Sequence, residues 1–463
     1  MARKIGQKYS YCILFILLTS ASILKAQFLL NSDSAFKAAA PNSGRLWGYA
    51  FGDYYYKGHA DSLNRGGNNQ YTGIPQGRNT FQFRRIYLGY DYNISKKFSV
   101  ELLLAAEDNF PAGNPPSSTS NAASGDILGD SKTTFYIKLA NLRIKNLWKG
   151  TDLILGQQTT PTFAMMPEKV WNYRSSERTI TDVDRTSSYD LGAGLNGVFD
   201  PATRNFGYNL LVATGSGDKP SGTSYKWFYG DVWAMFFNKK LIIDLYSDYQ
   251  RLNWQTTWHH DRQMNKIFVA YNTPIFTFGA EGYINTLRND TKATLITPIG
   301  SRTMDTINTS ARGLSLFAHG DIIKEKLRWF ARWDTYNPNH NINNSKYKGY
   351  APNSTPNGYG AGTYRMTFGN NGAPTGNAVP VGDPTSPTVG DITYKQQFVN
   401  VGLDFTPIHN VHLEPNIWYT HYASQLPIST TGTTGTNGNY DLVYRMTFFF
   451  MFGKSYKNTY NQF

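Results

Sequence analysis

The stretch Asn79–Asn109, NTFQFRRIYLGYDYNISKKFSVELLLAAEDN, decides how the rest of the chain is read. Ile86, Leu88, Tyr90 and Tyr92 alternate with Arg85, Tyr87, Gly89 and Asp91. After the polar Ser95-Lys96-Lys97, Phe98, Val100, Leu102 and Leu104 alternate with Ser99, Glu101 and Ala105. Two period-2 segments joined by a short turn make a hairpin, and each is about the 9–11 residues a tilted strand needs to cross a bilayer. An apolar, aromatic face opposite a mixed, charged one suits a strand between lipid and a wet lumen.

The hairpin recurs. Sixteen strand-like segments run from 45–56 to 440–452, among them 132–143, 241–253, 264–272, 275–287 and 311–322, and no long helical period interrupts them. Short links such as Ser95-Lys96-Lys97, Asn238-Lys239-Lys240 and Lys324-Glu325-Lys326 alternate with long ones. The long ones include Lys57–Arg78, Phe110–Ser131, Pro161–Ser188, Arg288–Ser310, Pro338–Asp391 and Ser424–Asn439. A β-sandwich or propeller has no reason to alternate so regularly. The pattern predicts an all-β fold: a transmembrane antiparallel β-barrel of about 16 strands with short periplasmic turns and long extracellular loops.

Composition agrees. A mean hydropathy of −0.45 over 463 residues argues against a helical membrane bundle, but alternating faces dilute the hydropathy of a barrel strand in the same way. Residues 1–26 read as a secretory signal, with Arg3, Lys4 and Lys8 before the apolar Tyr11–Leu18 run, so the expected barrel domain is 27–463. The one cysteine, Cys12, lies in that signal, which excludes disulfides and thiolate metal sites from the mature chain. Without the signal's Arg3, Lys4, Lys8 and Lys25 the formal charge falls from +13 to +9. The remaining basic residues are dispersed rather than clustered, unlike a nucleic-acid-binding arm.

In its motifs the sequence resembles the phosphate-selective porin O/P family, in the porin-like form common in Bacteroidota. Phe83-Arg84-Arg85 followed by Leu88-Gly89 carries one part of the resemblance. Leu155-Gly156, Pro161, Phe163, Ser176-Glu177-Arg178 and Leu191-Gly192 carry the other. The resemblance implies a 16-stranded pore in the outer membrane of a Gram-negative bacterium, commonly a homotrimer. It also implies that the third extracellular loop folds inward and that arginines and lysines guide anions.

Strand parity tests that implication separately. With the more apolar face toward lipid, Arg85, Lys138, Arg332 and Arg445 point inward near mid-strand, and among acids only Glu281 shares that level. Glu101, Asp152, Asp244, Asp404 and Glu414 fall near the periplasmic ends, and Glu107, Asp248 and Asp334 near the outer ends. The expectation is a basic waist, where a ring of like charge sets ion preference. Arg84 falls on the lipid face by parity, where a midplane charge costs roughly 2–4 kcal/mol; it must snorkel, face a neighbouring subunit or turn inward at a bulge. A competing reading makes all these charges an electrostatic lattice bracing the wall.

Loop 161–188 is the expected constriction. Its Lys169, Arg174, Arg178 and Arg185 are balanced by Glu168, Glu177, Asp182 and Asp184, while Trp171, Met165 and Met166 offer apolar pins to the wall. Catalytic chemistry finds little support. His259-His260-Asp261 is read as a loop, with no second cluster to complete a metal site. Ser315 and His319 on one strand face are about 13 Å apart, too far for a nucleophile and its base. The sequence therefore predicts a passive diffusion channel for small hydrophilic solutes with an anion preference, and the family resemblance implies phosphate among those anions. It predicts no enzyme activity, cofactor or metal; its partners are solutes and outer-membrane lipid. The competing expectation is a non-conducting barrel that serves as a surface adhesin or anchor.

Overall fold

When one face of every strand is apolar and the backbone must satisfy its own polar groups, the sheet has to close on itself. The computed structural model describes residues 41–61, 69–71, 74–107, 135–184, 187–217, 224–255, 258–295, 304–343, 345–352, 394–423, 425 and 439–453. The first strands are β1 (Ser43–His59), β2 (Asn79–Asn93), β3 (Phe98–Glu107), β4 (Tyr136–Trp148), β5 (Thr151–Thr159) and β6 (Tyr189–Val198). Then come β7 (Phe206–Ala213), β8 (Trp227–Phe236), β9 (Leu241–Gln255), β10 (Trp258–Asn272), β11 (Phe276–Leu295) and β12 (Met304–Ile323). The last are β13 (Leu327–Asn337), β14 (Tyr347–Pro352), β15 (Lys395–Ile408), β16 (Val411–Ala423) and β17 (Asn439–Gly453). Two short helices, α1 (Pro167–Trp171) and α2 (Ile180–Val183), lie between β5 and β6.

Sequence neighbours pair antiparallel around the wall, β13 pairs with β15, and β17 returns to β1 with Trp47 opposite Gly453. β14 stands outside this circuit, against Thr291–Leu295 at the far end of β11. The wall is a closed 16-strand antiparallel β-barrel. Its outer face is apolar along mid-strand, with Leu210, Val232, Leu245, Ile267, Ile417 and Met446 exposed. Trp148, Phe206, Phe236, Phe276, Phe405 and Phe452 are exposed beside the short turns, as an aromatic girdle at a membrane interface requires.

The short turns rest on left-handed residues. Lys149-Gly150 alone joins β4 to β5, and Gly150 has φ 84°. A Cβ there would lie 2.7 Å from Pro201 Cγ, so both backbone and packing select glycine.

Several boundaries differ from those expected, for one physical reason: polar residues were taken as loop signals, but facing a lumen or a neighbouring strand they continue the ladder. Segment 132–143 becomes 136–148 because Arg143 and Lys145 face inward, Arg143 Nη1 bonding Asp152 at 3.2 Å and Lys145 Nζ bonding the Asn93 side chain. His259-His260 is not a loop. Both residues lie on β10 and pair with Trp254 and Asn253 of β9. The expected loop 288–310 is largely the outer part of β11 and β12, where Thr291–Thr294 pair with Met304–Ile307. The signal segment, the tail beyond Gly453 and loop residues 353–393 lie outside the described residues.

The outward face supplies a direct test. Leu210 lies in the middle of β7 with 47% of its surface exposed. Leu210→Arg is expected to destabilise the lipid-embedded barrel by about 2–4 kcal/mol, read as a lower denaturant midpoint at unchanged slope. Asn209→Asp, one residue along on the inner face, should not carry that cost of charge in lipid.

Candidate functional site: the loop-filled lumen

Segment 160–188 leaves the wall after β5, enters the barrel and returns at β6. Its apolar side packs on inward-facing aromatics of the opposite wall. Fully buried Trp171 has its ring 5.2 Å from Phe317 and 6.2 Å from Phe330, and Tyr173 stacks on Phe330 at 4.3 Å. Met166 and Val170 join them in one cluster with Trp233, Met235, Ile242 and Phe268 of β8, β9 and β10. The space between this side of the loop and β8, β9, β10, β12 and β13 is thus a hydrophobic core. This removes water from around the loop backbone, so its polar groups need partners from the wall.

The wall supplies them. Ser175 Oγ donates to both oxygens of Glu414 at 2.8 Å, Ser176 Oγ donates to Asn400 Oδ1 at 2.7 Å, and Thr181 Oγ1 donates to Glu281 at 2.9 Å. Trp418 Nε1 donates to Glu177 Oε2 at 2.9 Å, and His319 Nε2 meets the Val170 carbonyl at 2.9 Å. Burial pushes the Glu177 carboxyl upward, but Arg178, Arg445 and Arg84 outweigh it, so the group titrates below the usual carboxylate range. For Asp184 the balance reverses. Burial beside Asp334 raises it well above that range.

Two of the arginines expected at the waist, Arg445 and Arg332, bind this loop, and so does Arg84, which parity put on the lipid face. Arg445 donates to the Ser176 carbonyl at 2.9 Å, to Asn416 at 2.8 Å and to the Tyr71 hydroxyl at 3.2 Å. Arg84 reaches the same Ser176 carbonyl at 3.3 Å and pairs with Asp53 at 2.9 Å. Arg332 donates to the Arg178 carbonyl and forks onto Asp334 at 2.9 and 3.0 Å. The other two, Arg85 and Lys138, meet on one carboxylate: both pair with Glu107, Arg85 at 3.3 Å. Arg84 and Arg445 thus come together on one carbonyl, Arg85 and Lys138 on one acid, and Arg332 stands apart over Trp171.

A β-bulge resolves the position of Arg84. Phe51 faces Arg85 and Gly52 faces Phe83, so Arg84 is the extra residue of β2 and turns inward with Arg85. Phe83, 49% exposed, resumes the outer face. A second bulge lies between Leu103 and Leu104 of β3, which face Leu139 and Ile137, and makes Lys138 the extra residue of β4.

Loop cations are balanced within the loop. Arg174 pairs with Glu168 at 2.7 Å and Asp182 at 2.9 Å, and Arg178 lies 3.6 Å from Glu177. Lys169 is half-buried, and Arg185 lies outside the described residues. His260 is buried with Nε2 3.2 Å from Asp290, on the face of β10 opposite to that of His259.

Sequence reasoning missed Asp53 and Tyr71. Asp53 is fully buried, accepts the Tyr71 hydroxyl at 2.6 Å and carries Arg84, so acids other than Glu281 do reach the waist. Glu107 and Asp334, placed near the outer ends by parity, also reach waist cations. The inner face of β1 mixes Trp47, Tyr49, Phe51 and Tyr55 with the charged Arg45, Asp53 and Lys57, so polarity alone does not mark an inward residue. Tyr71 belongs to the first long loop, and its only sequence signal was an aromatic in a polar stretch.

Beside this core, with Met166, Val198, Trp233 and Met235 belonging to both, a cavity of about 460 Å³ lies between the loop and the wall. Its lining comes from residues of β1 to β8 and the turns between them, and from 163–174 and Ser188 of the loop. Seven cations, Lys96, Lys138, Arg143, Lys145, Lys169, Arg174 and Arg204, face three acids, Glu101, Asp152 and Glu168.

No protein-family model matches the chain, and no curated protein matches its sequence. Among solved structures it is similar to the outer-membrane expressed OmpT of Vibrio cholerae, at 9% identity and a TM-score of 0.48, over 89% of this chain and 99% of that one. It is also similar to Salmonella typhi OmpF in complex with daunomycin, at 10% identity, TM-score 0.46, 89% and 98% coverage. A porin refined at 1.8 Å resolution gives 9% identity, TM-score 0.45, 89% and 100% coverage.

The anchoring network makes two predictions. Arg445→Met removes one donor each from the Ser176 carbonyl, the Asn416 side chain and the Tyr71 hydroxyl and should weaken loop docking by about 1–3 kcal/mol, read as hydrogen exchange at 174–178 that is roughly ten- to a hundred-fold faster. Because the Glu177 carboxyl is depressed, its contribution is present above the ordinary range near pH ~4.3 and is lost as pH falls through its lower folded value. Tryptophan fluorescence should report loop release only in that acid window, and Glu177→Gln should remove the transition.

Proposed function

We propose that this chain is an outer-membrane porin: a passive channel for small hydrophilic solutes that prefers anions and conducts between loop 160–188 and the β1–β8 side of the wall. One observation carries the reading, the charge of the cavity on that side. Of its acids, Asp152 is paired with Arg143 at 3.2 Å, Glu168 with Arg174 at 2.7 Å, and Glu101 accepts from Asn141 at 2.9 Å. Lys138 is held by Glu107. Lys145 is held by the Asn93 side chain, and Lys96, Lys169 and Arg204, without an ion pair among the described residues, set the potential. A cleft of one sign with low-dielectric walls concentrates the opposite ion.

In this reading Arg84, Arg332 and Arg445 hold the constriction in place, Arg85 and Lys138 share Glu107 in the wall, and Lys169 is the loop cation that meets the solute. Solutes exchange part of their hydration for Lys, Arg and Tyr contacts and leave because no single site binds too tightly. The short-turn end faces the periplasm and the long loops the exterior of a Gram-negative cell, after a signal at 1–26 is removed. Phosphate as the favoured anion, and assembly as a trimer, rest on the resemblance to the phosphate-selective porin O/P family. The alternative, a non-conducting barrel serving as a surface adhesin or anchor, draws on the hydrophobic core that packs the loop against the wall.

Planar-bilayer recording separates the two, since absence of ion current from purified protein removes the porin reading. In a salt gradient the reversal potential should report anion preference, and Lys96→Glu with Lys169→Glu should move it toward cations. Arg332→Glu should instead raise current noise, by releasing the loop.

A further inference from the structure

The short-turn rim of the barrel carries a surface that conduction does not use. Resting on the outer-membrane reading given above, we propose that this rim is a collar for anionic phospholipid headgroups of the periplasmic leaflet. Past the aromatic girdle the chain exposes further apolar side chains in the turns themselves. Phe199, Phe237, Ile275 and Ile408 are 67–74% exposed, against 47% for Leu210 and 50% for Ile267 in mid-wall, so little of the barrel packs over them. Ile94, Trp148 and Ile323 are exposed at three other turns.

Lysines follow these apolar residues at short spacing. Lys97 comes three residues after Ile94, Lys149 one after Trp148, Lys239 and Lys240 two and three after Phe237, and Lys324 and Lys326 one and three after Ile323. Lys97, Lys149, Lys324 and Lys326 are exposed, and Lys239 and Lys240 half-buried. The short turns contain two acids, Asp200 and Glu325. Asp200 is spent inside its own turn, accepting from the backbone N–H of Asn205 at 2.8 Å and of Phe206 at 2.9 Å, so Glu325 alone opposes the six lysines. The spacing fits a membrane surface. The polar layer of a bilayer is about 5–8 Å deep on each side of the hydrocarbon. One to three residues of chain, at roughly 3.3 Å each, carry a lysine about that far beyond an apolar residue held at the acyl boundary, and its flexible stem reaches the rest. A soluble acidic partner would match the lysines alone. A phospholipid matches both parts of each turn, its phosphate over the ammonium and its acyl chains over the apolar side chain.

The test reconstitutes the full chain into vesicles of phosphatidylcholine and phosphatidylglycerol in equal parts, floats them, extracts the barrel in mild detergent and identifies its retained lipids by native mass spectrometry. A lysine near an anionic surface is worth roughly fivefold in affinity, so phosphatidylglycerol is expected over phosphatidylcholine by at least about tenfold, a preference that shrinks severalfold in high salt. Lys97→Gln, Lys149→Gln, Lys239→Gln, Lys240→Gln, Lys324→Gln and Lys326→Gln together should abolish the preference, with circular dichroism confirming the fold. Phe237→Asn with Ile408→Ser should lower retention of both lipids; asparagine suits the left-handed backbone at Phe237, φ 53°. Arg312→Gln with Lys395→Gln, exposed cations on β12 and β15 away from the short turns, should leave the preference unchanged. Equal retention of the two lipids, or a preference that survives the six lysine substitutions or is lost with Arg312 and Lys395, overturns the proposal. So does displacement of phosphatidylglycerol by polyglutamate that is indifferent to the Phe237 and Ile408 substitutions, which would mark an acidic protein's site. A barrel that retains phosphatidylglycerol but passes no current fails only as a porin. A chain that does not float with the vesicles fails as a membrane protein, and the collar falls with it.

Discussion

A loop that enters a barrel takes its peptide groups out of water, and each carbonyl left without a donor costs about 1–3 kcal/mol. The interior of this protein is arranged around that constraint. Arg84 and Arg445 meet the carbonyl of Ser176, Arg332 that of Arg178, and His319 that of Val170. Guanidinium suits the task because it is always charged and has five donors in a fixed fork. Arg445 uses that fork on three different partners at once. The acids beside these arginines, Asp53 and Asp334, keep them from being isolated charges in a buried setting. The position of the loop decides which part of the lumen is core and which remains open.

The bulge in β2 shows how local geometry serves that end. A regular strand would send Arg84 to the lipid face. One extra residue turns two consecutive arginines inward, Arg84 to Asp53 and the loop, Arg85 to Glu107. The adjacent hairpin repeats the device at Lys138, which shares Glu107 with Arg85. Two bulges therefore feed three cations to two acids in a region where strict alternation offers fewer positions.

Much of the wall was legible in the sequence, because period-2 alternation is a direct consequence of placing one strand face in lipid. The limits 79–93 of β2, 327–337 of β13 and 411–423 of β16 follow from it, as does the inward direction of Arg85, Arg332 and Arg445. The inner surface was less legible. An inward residue obeys no polarity rule: β1 puts four aromatics inside, β10 carries His259 and His260 in register, and Lys145 extends β4 past its expected end. Which loop residue meets which wall residue was not legible, since Ser175 and Glu414 are separated by 239 positions and linked only by the closure of the barrel. The zero net charge of loop 161–188 was visible in its composition. Its meaning was not, since Arg174 and Arg178 are occupied by Glu168, Glu177 and Asp182 while the cations of the cavity come largely from the wall.

The docked loop also has a mechanical meaning. It is rooted in β5 and β6 and fastened to β12, β13, β15, β16 and β17 on the far side, so it spans the barrel as a tie-rod spans an arch. A ring of hydrogen-bonded strands resists stretching along its circumference but flattens readily into an ellipse. A cross-member joining opposite walls resists that flattening. The fastening that shapes the passage thereby also holds the barrel round against the lateral pressure of the membrane.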